Sequence, residues 1–338
     1  MLLGVVAAAL CALVLAAPAA LWAQDIRFFR IGTGSTAGTY FPIGGIIASA
    51  ISKPPGSREC ALGGSCGVPG MIAVVQSTEG SVANVMGIAN GTLESGLSQA
   101  DVSYWAYNGE GIFEETGPLD NLRTIANLFP ESIHLVVRRG SGIRRVPDLR
   151  GKRISLDREG SGTRVDALLI LEAYGLDPED LAVYSYAAGE AADRLREGGL
   201  DGFFMVVGTP ATAVSGLAEE SLIDLVPIAG PEADRLREAY PFFAADRIMA
   251  GTYFNVPLTE TLSVGAQWLV AAEVPADTVY QMARALWHKN TRRLLDNGHP
   301  KGRLIDIFSA LDGLVVPLHP GARRYYSEAG IPFPTGTY

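Results

Sequence analysis

The sequence predicts an α/β protein of two lobes that face each other across a ligand cleft. Three observations predict this. Strand-like apolar runs alternate with helical stretches along most of the chain. Its 338 residues exceed what one hydrophobic core ordinarily serves. A glycine-serine turn between a strand and a helix occurs twice, as GTGSTAGTY at residues 32–40 and GSGTR at residues 160–164. Apolar residues at 48% and charged residues at 19% are the balance of a packed interior, with no tract of disorder-prone composition.

The first 23 residues carry no charged side chain and end in small residues before Gln24 and Asp25. They read as an export signal spanning residues 1–23, with Ala17-Pro18-Ala19 or Ala23 as the cutting point. The run lacks a basic start and is barely long enough for a bilayer, so a retained anchor is the alternative reading. Residues 26–31 form the first strand candidate. Ile43, Ile46, Ile47, Ala50 and Ile51 then recur at helical spacing until Pro54-Pro55 stops them.

Cys60 and Cys66 follow, an even pair in an exported chain: one disulfide closing a small loop, or two free thiols. Two cysteines with no histidine nearby in sequence do not make a metal site, so no metal is expected. The segment GGSCG there fits G-x-S-x-G, but a charged SREC precedes it and Val68-Pro69-Gly70 follows, so the strand and helix of a nucleophile elbow are missing.

MIAVVQ, LRTIANLF and IHLVVRR are the next strand candidates. Residues 152–156 then lead into the second glycine turn, after which Val165, Leu168, Leu169 and Leu171 share a helical face that Gly175 and Pro178 end. LAVYSY, DGFFMVV, LIDLVPI and LSVGAQWLVA continue the alternation, and EAADRLREGG and ADTVYQMARALWHKNTRRLLDNG are the clearest helical stretches. Crossovers near residues 137 and 263 divide the chain into a first lobe of 24–136 plus 264–338 and a second of 137–263.

The formal net charge of −9, with no basic run, argues against nucleic acid as a partner. An anionic ligand must then be attracted by local groups. Residues 32–37 satisfy the dinucleotide pattern G-x-G-x-x-G/A, but no strand ending in a ribose-binding acid follows, and neither turn has a Walker lysine. The four histidines, His134, His288, His299 and His319, form no metal pair, and Glu114-Glu115 and Glu219-Glu220 read as solvated faces. Nothing calls for catalysis or a cofactor.

Both glycine turns place small residues where a helix begins, and unpaired N–H groups and the helix dipole favour an anion there. Ser35, Thr36, Thr39, Ser161 and Thr163 add hydroxyl donors, and Arg164 adds a charged clamp. Ordinary helix capping is the plainer reading of either turn alone.

IGTGSTAGTYFPIGG, SCGVPGMIAVVQSTEGSVANV, LESGLSQADVSYWAY, DLRGKRISLDREGSGTR with LEAYGL, VPADTVYQMARALW and HPGARRYYSEAGI occur in that order. In these segments the chain resembles the TAXI family, the extracytoplasmic solute-binding subunits of tripartite ATP-independent periplasmic (TRAP) transporters. The resemblance implies a type II periplasmic-binding-protein fold with a hinge, no cofactor and no catalytic turnover. It also implies a periplasmic location and a membrane permease of small and large subunits as partner. The ligand it implies is a small carboxylate such as glutamate, glutamine or 2-oxoglutarate, bound by a monomer. Carried over by residue, its cleft comprises Gly34, Ser35, Thr36, Thr39, Tyr40, Ser161, Gly162, Thr163 and Arg164, with Gln99, Asp101, Phe204 and Gly208 as additions. A transferase using the glycine turns for phosphate, or a ligand sensor, are the competing readings.

Overall fold

The computed structural model describes residues 26–334, so the expected export signal lies outside them. From the first described residue the chain runs β1 (Arg27–Gly32), α1 (Tyr40–Ile51), β2 (Ser52–Lys53), β3 (Val68–Pro69), β4 (Met71–Gln76), α2 (Ser81–Ala89), β5 (Ser95–Gln99) and α3 (Ala100–Asn108). It continues as β6 (Leu122–Arg138), β7 (Arg153–Ser155), α4 (Gly162–Ala173), β8 (Ala182–Tyr184), α5 (Ala188–Arg196), β9 (Gly202–Val207), α6 (Thr212–Glu219), β10 (Ile223–Val226), α7 (Pro231–Ala239) and β11 (Ala244–Ile248). It closes with β12 (Thr259–Ala271), α8 (Ala276–Leu286), α9 (Lys289–Gly298) and α10 (Pro320–Glu328). No helix among the described residues is long and apolar enough to cross a membrane.

The strands follow the order β4-β1-β5-β12-β6-β9-β7-β8, with β10 on β6 and β11 on β12. β1, β4 and β5 are parallel, as are β7, β8 and β9, and the antiparallel β6 and β12 join the two groups. The apolar interior sorts accordingly. One core gathers Phe29, Ile43, Ile47, Phe129 and Trp268, and another gathers Ile133, Ile154, Ile170, Phe204 and Val264. Along β6 the core membership therefore changes between Phe129 and Ile133, and along β12 between Val264 and Ala266. The two long strands are the shared spine of a two-lobed molecule.

Two readings of the sequence need correction. LRTIANLF and IHLVVRR are one strand, β6, because Pro130 lies opposite Gly265 at the lobe crossing, where a missing N–H is tolerated and the strand continues. The long helical stretch after Pro275 breaks at Trp287, and His288 caps the next helix by accepting the Asn290 N–H on Nδ1 at 3.1 Å. Cys60 and Cys66 are joined as a disulfide. The fold brings the His288 ring to 3.2 Å from Cys66 Sγ, a neighbour the linear spacing did not reveal.

The strand ends that face the cleft are pinned by one buried amide. Asn84 of α2 donates from Nδ2 to Thr33 O at 2.6 Å and Leu97 O at 2.7 Å, and accepts from Thr78 Oγ1 at 2.8 Å. Gly32 and Gly96 make room for it: a Cβ on either would lie 2.4 Å from Asn84 Oδ1 or 3.0 Å from its Cβ. Thus the first glycine turn begins with a glycine because an asparagine must reach the backbone beside it. Replacing Asn84 by Ala removes a buried donor from Leu97 O and leaves Thr33 O with the Thr78 hydroxyl alone, and should cost about 2 kcal/mol in urea unfolding. An unchanged midpoint would show that water or a neighbour takes over both bonds.

Candidate ligand-binding cleft

Because β1, β4 and β5 are parallel, their carboxyl ends share one edge, and the segments leaving them face the second lobe. A cleft of about 260 Å³ opens there. Residues 34–36 and 38–40, residues 77–81, Gln99 and Glu131 line one side. Asp157, Arg158, Ser161, Gly162, Thr163, Ala187, Ala188 and residues 205–207 line the other.

Four helices start at this cleft: α1 at Tyr40, α2 at Ser81, α4 at Gly162 and α5 at Ala188. In three of them, α1, α2 and α5, the residue before the first turn makes no side-chain cap, although Pro42 of α1 has no N–H and the Ala83 N–H of α2 is taken by Gly160 O. In α4, Ser161 Oγ accepts the Arg164 N–H at 3.1 Å. Thr163 Oγ1 accepts the Val206 N–H at 3.0 Å, and Ser35 Oγ accepts the Ala37 N–H at 3.3 Å. Each of these oxygens is held by a backbone amide; the Ser161 and Thr163 hydroxyls turn their protons toward Asp157.

Of the residues expected at the site, Gly34, Ser35, Thr36, Thr39, Tyr40, Gln99, Ser161, Gly162 and Thr163 line the cleft. Four others stand elsewhere. The Arg164 side chain points away, its Nη1 donating to Ser185 Oγ at 3.4 Å, while Arg158 borders the cleft with its guanidinium 3.9 Å from Glu190. Phe204 packs into the second-lobe core. Gly208 accepts the Thr39 hydroxyl on its carbonyl at 3.0 Å, which joins the lobes. Asp101 is fully buried behind the cleft wall.

The sequence reading missed residues 77–81, Asp157, Ala187, Ala188 and Glu131. QSTEGSV carries the same signal as the two recognised turns, a strand followed by glycine, serine and a helix, and Asp157 lies three residues before Gly160 of GSGTR in LDREGSGTR. Glu131 has no local signal, since only the meeting of β6 with α1 brings it there.

Glu131 is also the electrostatic surprise. It is 2% exposed and accepts the Tyr40 hydroxyl on Oε2 at 2.6 Å. Burial pushes its carboxyl up to about 8, against the opposing pull of that bond and of Lys301. Burial likewise raises Asp157 to about 6, opposed by the Arg158 N–H and the Ser161 and Thr163 hydroxyls. The acids at the cleft are Glu79, Glu131 and Asp157, with Arg158 as the cation. Among the described residues, no histidine, cysteine or lysine lines it. His288, His299 and His319 each spend Nδ1 on capping a helix start, and His134 lies between Ser132 O and the Tyr253 hydroxyl.

The lobes touch across the cleft. The Ala83 N–H donates to Gly160 O at 3.0 Å, and Gln99 Nε2 donates to Asp166 Oδ2 at 2.7 Å. The profile of the NMT1-like family matches residues 31–330 of this chain. The chain belongs to the NMT1-like family. Among solved structures it is similar to MatC from Rhodopseudomonas palustris with bound malate, at a TM-score of 0.52 and 14% identity over 90% of this chain and 97% of that one. A Bordetella bronchiseptica RB50 protein matches at a TM-score of 0.52 and 13% identity over 92% and 91% of the two chains. The alkanesulfonate-binding protein SsuA from Xanthomonas axonopodis pv. citri, bound to MOPS, matches at a TM-score of 0.47 and 15% identity over 90% and 84%. The architecture is the two-lobed fold of periplasmic solute-binding proteins.

Glu131 makes a testable contribution to stability. Its ordinary value is 4.5 and its folded value about 8, so the native state holds the extra proton. Its stability term is therefore full below about pH 4.5 and is lost as pH rises through about 8. Unfolding of the ligand-free protein should lose up to about 5 kcal/mol from this group across that window. Glu131→Gln should flatten that part of the profile, and an unaltered profile would show that Glu131 is ionised in the folded protein.

Proposed function

We propose that this protein is a periplasmic solute-binding subunit of the TAXI type, which captures a small carboxylate-bearing solute and delivers it to a TRAP permease. The observation that carries the reading is the cleft itself: helix starts from both lobes converge on a volume of about 260 Å³ whose lining offers donors and, among the described residues, no histidine, cysteine or lysine. A fixed dipole at each helix start favours a carboxylate without needing a net positive site. Membership of the NMT1-like family and a fold shared with the malate-bound MatC support the class of solute. Binding joins the lobes of a monomer through the β6 and β12 spine, and the closed form is what a permease of small and large subunits would recognise.

The acids of the cleft favour one member of the class. Glu79 and Asp157 stand near any bound carboxylate, and an ammonium on the ligand would answer them. An α-amino acid such as glutamate or glutamine therefore fits better than a plain dianion such as 2-oxoglutarate.

Thermal melting against amino acids, C4 to C6 dicarboxylates and a sugar phosphate should show an upward shift with an amino acid, smaller shifts with dicarboxylates and none with the phosphate. Stabilisation by the sugar phosphate together with its consumption would establish the transferase reading instead. Thr163→Val and Ser35→Ala should each weaken binding of the stabilising solute by roughly 1 to 3 kcal/mol in calorimetry. Unchanged affinity in both variants would remove these hydroxyls from the site.

A further inference from the structure

Behind the cleft two carboxyls meet across the lobe boundary. Asp101 stands in the first turn of α3 and Asp166 in α4, both at 0% exposure. They lie within hydrogen-bonding reach of each other. Gln99 is held by the Ser81 hydroxyl, which donates to its Oε1 at 3.2 Å, and its Nε2 serves Asp166 Oδ2 at 2.7 Å. The other three oxygens, both of Asp101 and Oδ1 of Asp166, make no hydrogen bond of good geometry among the described residues, the first-turn amides of Val102 and Asp101 only approaching the Asp101 carboxylate. Two facing carboxylates are acceptors only, and like charges so placed cannot both stay ionised in a dry interior. One proton between them supplies the missing donor.

We propose that Asp101 and Asp166 share a proton while the lobes are closed and release it when the lobes part, so that closure takes up a proton. This rests on the solute-capture reading for its purpose, since closure is what retains the solute. Burial pushes both carboxyls upward, Asp101 to about 6, where the first-turn amides of Val102 and Asp101 oppose the shift. Asp166 is raised further by the charge of Asp101. The other titratable groups facing the pair are Glu131 from β6 and Tyr40 from α1, both themselves shifted upward by burial.

The sign follows from the proton count. The closed form holds a proton that the opened, hydrated carboxyls shed near their ordinary value of about 4. The ratio of open to closed molecules therefore rises with pH, by more than tenfold per unit up to about 6, while the closed pair still holds both protons, and by about tenfold per unit above that while the shared proton remains.

The test uses ligand-free protein in sodium-free, chelated buffer. Small-angle scattering should show the wild type opening between about pH 5 and about pH 9. In Asp101→Asn and in Asp166→Asn an amide replaces the shared proton, so the open-to-closed ratio should change by less than about twofold over the same range. A wild type that keeps one radius at both ends, or variants that open as the wild type does, would overturn the proposal. Closure of the alkaline wild type by added sodium or calcium would also overturn it, by making the pair a cation site. Should neither variant fold, the infrared carbonyl band of a protonated carboxyl in Glu131→Gln at neutral pH decides: its presence supports the shared proton, and its absence refutes it. Because no solute enters these measurements, a failed solute panel beside a pH-driven opening would sink the capture reading alone.

Discussion

The lobes approach each other more closely than a side chain allows, and the site depends on that contact. A Cβ on Gly162 would lie 1.5 Å from Gln99 Oε1, and one on Gly160 would lie 2.6 Å from Glu79 Oε2. Gly80 faces Ser161 from the other side, with a Cβ there at 3.3 Å from Ser161 Cα. These glycines let the start of α4 settle on the end of β5 and the start of α2. The same contact brings Gln99 to Asp166, sets the Ala83 N–H on Gly160 O and draws the helix starts around one small volume.

The electrostatics of that volume are a balance between fixed dipoles and acids. A protein of net charge −9 with Glu79, Asp157 and Glu131 at its cleft does not attract an anion by charge. What favours a carboxylate is short-range: amides at helix starts and hydroxyls oriented by backbone N–H groups. Glu131, neutral in its buried setting, adds no repulsion near neutral pH. On the proposed solute-capture reading, selection between an amino acid and a dianion falls to these acids.

Much of this was legible in the sequence where the signal was local. The alternation of strands and helices, both glycine turns and nine cleft residues could be read from short segments. What was not legible depends on contacts between distant segments. Pro130 looked like a strand end because its tolerance depends on Gly265 across the spine. Arg164 looked like a clamp because helical phase alone does not tell which way a side chain leaves the first turn, and here it leaves toward Ser185. Asp101 was carried over as a ligand residue from the resembled family, whereas here it faces Asp166, 65 residues away on the other lobe. The GSGTR turn was read as a helix start favouring an anion, and the structure shows its glycines making room for the opposite lobe.

The most direct measurement is calorimetry of Gly162→Ala with the solute that stabilises the wild type, alongside circular dichroism to verify the fold. A methyl at this position collides with Gln99 only when the lobes are together. The account predicts native dichroism with affinity reduced by at least about tenfold, the weight of about 1.4 kcal/mol. A variant that folds and binds as tightly as the wild type would contradict it, since the solute would then be held without this closure.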